Sequence, residues 1–420
     1  MRIIDSRNTD AVAALLDWRP GRDPRIERRV GRIVKSVRDG GEVALLALAR
    51  RFDGLRGSPE VTATEMQRAA ETVSRDVRNA IAIAARHIRR VASRQVPAAW
   101  SVTPVPGVRI AQRVVPLERV GCYVPGGRYP LPSSLLMTAI PARVAGVRDV
   151  FAVCPKPDAT VMCAAIEAGV SRLFRLGGAH AIAALAYGTA PVPRVDKIVG
   201  PGNAYVAAAK ALVAADCAID FFAGPSEIGI VSTTGRPDFI AADLLAQAEH
   251  DPDARAVLIT PNRSLARAVA RDIARLMPDA GPARDAMAQH GGIVLTRTLD
   301  EAVALSQRMA PEHAVCDTNA VALRLTRAGT VFVGRYSAQA CGDYTTGSNH
   351  VLPTGGAARA RGGLSAADFV HVSTVQRLTS RGIRAIGPAA VALAGAEGLP
   401  GHAASIALRL GRGRKGTRVT

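Results

Sequence analysis

The strongest constraint on the fold lies between Gly121 and Phe222, where short apolar runs alternate with Ala-rich stretches of helical period. DVFAVCP (149–155) reads as a buried strand. TVMCAAIEAGV follows as a helix, RLFRLGG as a strand ending in Gly177-Gly178, AHAIAALAYG as a helix, KIVGPG as a strand and NAYVAAAKALVAA as a helix. Parallel strands need long crossovers, which helices supply, so this alternation predicts βαβ units on a parallel sheet. A second run of the same kind follows: GIVSTTG, DFIAADLLAQAEH, ARAVLITP, SLARAVARDIARL, GGIVLTR, LDEAVALSQRMA and HAVCDT. From Asp23 to about Val96, apolar residues recur at helical spacing, with a stop at Asp39-Gly40-Gly41. VRIAQRVVPLERVGCYVP reads as short strands, and the segment after Asp368 as helices. The expected class is α/β, with two parallel-sheet domains and helical N- and C-terminal segments.

Bulk composition excludes several functions. The chain has 420 residues, 48% of them hydrophobic, enough for at least two packed cores. It has no apolar run of about 18 residues, the length needed to span a membrane. MRIIDSRNTDAV lacks the apolar core of a secretory signal, which predicts a soluble, cytoplasmic protein. Cys122, Cys154, Cys163, Cys217, Cys316 and Cys341 form no CxxC pair, so neither a zinc ribbon nor a redox motif is indicated, and reduced, mostly buried thiols are expected. The net charge of +19 comes mainly from arginine, lysine being confined to positions 35, 156, 197, 210 and 415. Arg86, Arg89 and Arg90, and Arg263, Arg267, Arg271 and Arg275, recur at three- and four-residue spacing, as on a solvated helix face. The tail RLGRGRKGTRVT is expected to fray. With aromatics at 4%, no base-stacking platform is expected, and no nucleic-acid partner.

Three glycine-rich turns sit at predicted strand ends: VPGGRYPLPSS (124–134), LGGAHA (176–181) and VGPGNAY (199–205). Glycine lets the backbone approach a phosphate, and a following helix N-terminus attracts the anion. None matches the dinucleotide fingerprint, since Tyr205 stands where GxGxxG has its third glycine. One such turn is an ordinary way to leave a strand; three in one lobe point to an anionic cofactor. Polar groups in apolar surroundings form a second signal. Gln247 and His250 at i, i+3 share one helix face, and with Asp343 and His402 they would make an amide, carboxylate and two-imidazole set suited to Zn²⁺ or a similar ion. Glu312 and His313, following Pro311, read as a loop that can aim both side chains at one cleft. Asn349-His350, and Glu397 with His402, complete the polar inventory.

Taken in order, VGCYVPGGRYPLPSSLLMTAIPARVAGV, VDKIVGPGNAYVAAAK, FFAGPSEIGIV, DLLAQAEHDPDA, APEHA and CGDYTTGSNHVLPTGG resemble the histidinol dehydrogenase family over essentially the whole chain. The resemblance implies two α/β domains of incomplete Rossmann type. One is discontinuous, 17–122 plus 227–364, and carries the metal and catalytic residues; the other, 123–226, binds NAD. An N-terminal arm, 1–16, and a C-terminal helical segment, 365–420, complete the division. The resemblance implies one Zn²⁺ per subunit on Gln247, His250, Asp343 and His402, which also contact substrate. It implies a catalytic pair, Glu312 and His313, with His313, Ser226, His350 and Glu397 touching substrate and Tyr123 and Asn203 touching NAD. A third NAD contact is usually the glutamine of GGAQA; this chain has His180 there. The implied reaction is a four-electron oxidation of L-histidinol to L-histidine by two NAD⁺ in turn, the last step of histidine biosynthesis. The implied assembly is a homodimer whose C-terminal helices complete the partner's site.

Three rival readings accompany this one. A related zinc enzyme could oxidise another small polar alcohol, with Glu397 and His350 as the deciding contacts. Cys122 or Cys341 could form a thiohemiacetal in the aldehyde step. A basic nucleic-acid or scaffold protein would bind DNA in a salt-sensitive way and turn over no NAD.

Overall fold

The structure is a computed structural model that describes residues 1–18, 21, 23–126, 129–221 and 224–411. The basic tail beyond Gly411 and the 127–128 and 222–223 steps of two quoted motifs lie outside the described residues. The chain divides into two units, one of Met1–Gln95 and Leu117–Phe369, the other of Val96–Pro116 and the residues from Val370 onward.

Among the described residues, the larger unit holds two six-stranded sheets. The first is parallel throughout and runs Ile3–Asp5, Gly291–Leu295, Arg255–Thr260, Glu227–Val231, His313–Cys316, Thr330–Val333. The second runs Glu60–Val61, Arg172–Phe174, Asp149–Val153, Arg119–Tyr123, Lys197–Val199, Ala218–Ile219, parallel except for its first strand. Counted along the chain from Glu227 and from Arg119, both sheets have the order 3-2-1-4-5, with one early strand added beside strand 3. In such sheets the order reverses between strands 1 and 4, which opens a crevice at their carboxyl ends.

Local sequence accounts for these elements. EIGIV, RAVLIT and GGIVL are buried at every position, as expected of strands covered on both faces by crossover helices. Asp158 caps the helix Ala159–Ala168 by accepting from Val161 N at 2.9 Å, and Gly169 ends it in the left-handed conformation. The expected stop at Asp39-Gly40-Gly41 is an interruption at Gly41 (φ 53°) within Pro24–Phe52. The arginines of Arg75–Ala92 and Arg263–Leu276 named above are all exposed. No helix among the described residues is long and apolar enough to cross a membrane.

The packing departs from the expected division in three places. The expectation groups residues 24–92 with the 227–364 segment. Instead Val30, Val34, Val37, Leu45 and Ala49 share a core with Phe151, Phe174, Ile182 and Val206, so these helices cover the second sheet. The expected arm, 1–16, is an integral part of the first sheet: Ile3–Asp5 pairs in register with Ile293–Leu295, and Val12, Leu15 and Leu16 join the core beneath. Among its described residues the C-terminal segment has the helices Ser380–Ala396 and Pro400–Arg409, but a strand, Val370–Leu378, precedes them. In the smaller unit that strand pairs antiparallel with Val108–Pro116, which pairs antiparallel with Trp100–Val105. The helix pair closes on itself there, and a Cβ at Gly387 would meet Leu410 at 2.9 Å.

Candidate active site

The amino ends of strands in the first sheet carry one cluster of polar groups. Glu312 immediately precedes His313, which opens His313–Cys316, so only Glu312 occupies the loop expected for both. Both are buried, at 5% and 3% exposure, in a region where an unpaired charge is costly. Burial pushes the Glu312 carboxyl well above the ordinary range, opposed by hydrogen bonds from the Glu227 amide (2.9 Å) and the Ser226 side chain. Burial pulls His313 down to about 4, so its imidazole is neutral near pH 7, with a ring nitrogen free to accept a proton. Its Nδ1 has no hydrogen-bond partner among the described residues and lies 3.7 Å from Glu312 Oε2.

Asp343 is the hub of this cluster. Its carboxylate lies 3.8 Å from His250 Nε2, 3.8 Å from His313 Nε2 and 3.9 Å from His350 Nδ1. Gln339 Nε2 donates to Asp343 Oδ2 at 3.0 Å. Asp343 O and His350 Nδ1 lie 2.9 Å apart, and Ser134 Oγ lies 3.5 Å from His350 Nε2. Burial lowers the His350 pKa as well. Gln247 is fully buried near the end of Pro237–Ala248, and neither atom of its amide has a partner among the described residues. His250 lies past the helix end, its amide 3.4 Å from Gln247 O. A buried amide without partners is destabilising unless something else satisfies it.

The residues expected to hold an ion are divided between the units. Gln247, His250 and Asp343 belong to the larger one; His402, in the first turn of Pro400–Arg409, and Glu397, which ends Ser380–Ala396, belong to the smaller one and are exposed. Among the described residues no three His, Cys, Asp or Glu side chains form a metal-binding group. The Gln247 amide still fits one. An ion ~2.1 Å from each of two donors can bridge atoms up to ~4.2 Å apart, and the His250–Asp343 separation of 3.8 Å lies within that reach.

The second sheet carries the glycine turns at its carboxyl strand ends. Tyr123 is 4% exposed, and its hydroxyl accepts from Gly178 N at 3.0 Å. Asn203 is exposed; its oxygen caps Ala204–Val213 through Tyr205 N and Val206 N, leaving the amide donor as its free function. Gly200 is held on both sides: its N–H donates to Asp220 at 2.8 Å, its carbonyl accepts from Lys210 at 3.0 Å, and those two side chains form a buried ion pair. Only glycine fits there, because its φ is 114° and any Cβ would come within 2.2 Å of Tyr123 O. His180 is 2% exposed, with Nε2 2.7 Å from Asp53 Oδ2, which also accepts Gly177 N at 3.0 Å. An aspartate thus occupies the anion position at the start of Gly178–Tyr187, where the sequence suggested room for phosphate.

Sequence reasoning passed over Glu227, Arg255, Gln339 and Asp53. Two of them had a visible signal: a charged residue opening an otherwise apolar strand, as in EIGIV and RAVLIT. Cys122 is fully buried and its thiol is pushed up to about 12, which removes the thiolate a nucleophile needs; Cys341 is exposed.

Comparison with known proteins gives one consistent answer. The family model described as histidinol dehydrogenase matches residues 19–410. The histidinol dehydrogenase of Caulobacter vibrioides is 46% identical over 96% of this chain and 97% of its own length, and that of Geobacter sulfurreducens 42% identical over 98% and 100%. The crystal structure of histidinol dehydrogenase from Elizabethkingia anophelis aligns with a TM-score of 0.93 at 30% identity, covering 98% of both chains. Sequence and fold agree over nearly the whole length, and the chain belongs to the histidinol dehydrogenase family.

Proposed function

We propose that this enzyme oxidises L-histidinol to L-histidine through the aldehyde, using two NAD⁺ and one Zn²⁺ per subunit, as a cytoplasmic homodimer with shared active sites. The observation that carries the reading is the buried Glu312–His313 pair beside Asp343, with His250 and His350 on the same carboxylate. Gln247, His250, Asp343 and His402 would hold the zinc, and Tyr123 and Asn203 the dinucleotide, with His180 behind the turn that Tyr123 borders. Bound zinc supplies a Lewis acid that fixes the substrate's nitrogen atoms, and it has no redox chemistry of its own. Bound NAD⁺ supplies the hydride acceptor in both oxidations.

The chain's own groups then divide the proton transfers. Neutral His313 takes the alcohol proton as the carbinol carbon loses hydride. The aldehyde must gain water before a second hydride can leave. Glu312, made a stronger base than a solvated glutamate by burial, takes a proton from that water, and His313 again serves the hydrate. Ser226, His350 and Glu397 orient the substrate.

The test counts NADH per molecule of histidinol. Wild type should yield two, lose activity to a chelator and regain it with zinc. Glu312→Gln should stop near one, with aldehyde accumulating. Equal loss of both oxidations in that variant refutes the division of labour, and full turnover in metal-free protein refutes the zinc. Another polar alcohol turned over faster than histidinol would favour the related-enzyme reading.

A further inference from the structure

Two parallel strands of the first sheet open with buried opposite charges. Arg255 heads Arg255–Thr260 and Glu227 heads Glu227–Val231, and the sheet register sets them side by side. They are 1% and 3% exposed. Arg255 Nη2 donates to Glu227 Oε1 at 2.8 Å. Arg255 Nη1 donates to Leu16 O at 2.7 Å and reaches Trp18 O at 3.3 Å, carbonyls at the C-terminal end of Thr9–Leu16. Glu227 Oε1 also accepts Gly355 N at 3.0 Å, from the stretch that follows His350. The Glu227 backbone N–H, on the same residue, donates to Glu312 Oε2 at 2.9 Å.

Strand cohesion alone does not call for such a pair. An apolar couple of similar volume commonly supports folding as well as a buried ion pair, because both charges must be desolvated. An apolar couple would not hold the Gly355 amide or gather the helix-end carbonyls. The network joins three segments distant in sequence to the residue whose amide holds the Glu312 carboxyl.

We propose that Arg255 and Glu227 are positioning residues for Glu312, fixing the strand head whose amide orients its carboxyl group toward the hydrating water. The inference rests on the reading of Glu312 as the group that activates water. A small misplacement of a reacting group costs rate far more than binding, so the effect belongs to the step that uses Glu312.

The test uses zinc-loaded enzyme supplied separately with histidinol and with the aldehyde. Arg255→Gln and Glu227→Gln should each lower kcat for aldehyde oxidation ~10- to 100-fold. Alcohol oxidation should change less than ~3-fold, with both KM values held within about the same factor. Arg255→Lys, which keeps the charge but has no bidentate fork, should recover part of the loss. Parallel loss of both oxidations, or no loss in folded protein, overturns the proposal. Should the single variants fail to fold, Arg255→Met combined with Glu227→Leu keeps the strands packed and must show the same selective loss; a wild-type aldehyde rate in it overturns the proposal equally. If Glu312→Gln itself spares aldehyde oxidation, the parent reading fails. If Glu312→Gln is selective and the Arg255 and Glu227 variants are not, only this inference fails.

Discussion

His180 shows how neighbours decide what a side chain is free to do. The resemblance to the GGAQA pattern implies a nucleotide contact at this position, but in this chain the imidazole is buried against Asp53 at 2.7 Å. A donor engaged in that way is not available to a ligand. Replacing His180 by Gln should therefore lower the KM for NAD⁺ ~2- to 10-fold, the worth of one neutral hydrogen bond, while kcat and the KM for histidinol stay within ~2-fold. Initial-rate kinetics at saturating histidinol would measure this, and an unchanged or higher KM for NAD⁺ would reject it. The same residue marks the limit of legibility. Gln247, Glu312 and His313 stand out as candidates because each is polar beside apolar neighbours, whereas Asp343 stands out only with the CGDYTTGSNH motif around it. Asp53 and Gln339 carry no such signal, since their importance comes from partners: Asp53 meets a turn 124 residues away, and Gln339 is read only through Asp343. Arg255 and Glu227 fall between, visible as charges at strand heads but meaningful only once the register sets them together.

Elements are more legible than their partners. The alternation from Gly121 to Phe222 gives strand and helix positions that the structure matches closely, because crossover periodicity is written locally. An amphipathic helix, however, states only that it has an apolar face, and so the helices of 24–92 pack on a sheet that their own sequence does not name. Val370–Leu378 reads as helix because the long helical run that follows outweighs its β-branched VHVSTV, and its ladder partner, Val108–Pro116, is far away in sequence. Pro400–Arg409 raises the opposite question, since it has no buried residue and Leu408 is 64% exposed. This exposed helix, with His402 in its first turn, is the element that the proposed shared site would have a second copy of the chain complete. On this basis His313→Ala and His402→Ala, each inactive alone, should complement when unfolded together and refolded. Random pairing makes about half the dimers mixed, each with one intact site, so about a quarter of wild-type activity should return. Activity no higher than the sum of the separate variants would mean that each chain serves its own site.

At the scale of the molecule, the same strand order occurs twice, with the candidate site residues at opposite ends of the two sheets. The second sheet presents Tyr123 and the glycine turns at its carboxyl strand ends, where ligands normally bind in open α/β sheets. The first sheet presents Glu312, His313, Ser226 and Glu227 at its amino ends. Its own carboxyl-end crevice, between Glu227–Val231 and His313–Cys316, is filled from within. Asp317 Oδ2 accepts Thr233 N at 2.7 Å and Thr234 N at 3.1 Å, and Asp317 Oδ1 accepts Ser232 Oγ at 2.7 Å. A carboxylate thus sits on the amides that a nucleotide phosphate would use. Although the fold offers two crevices, calorimetric titration with NADH should therefore saturate at one nucleotide per chain. Removing the carboxylate by Asp317→Ala strands those donors, at ~1–3 kcal/mol for a buried unsatisfied group, so the melting temperature should fall by several degrees. The KM for NAD⁺ should not move, because the dinucleotide site proposed above lies at the other sheet. Two nucleotides bound per wild-type chain, or a changed KM for NAD⁺ in a folded Asp317→Ala enzyme, would show that the carboxyl end of the first sheet takes part in binding after all.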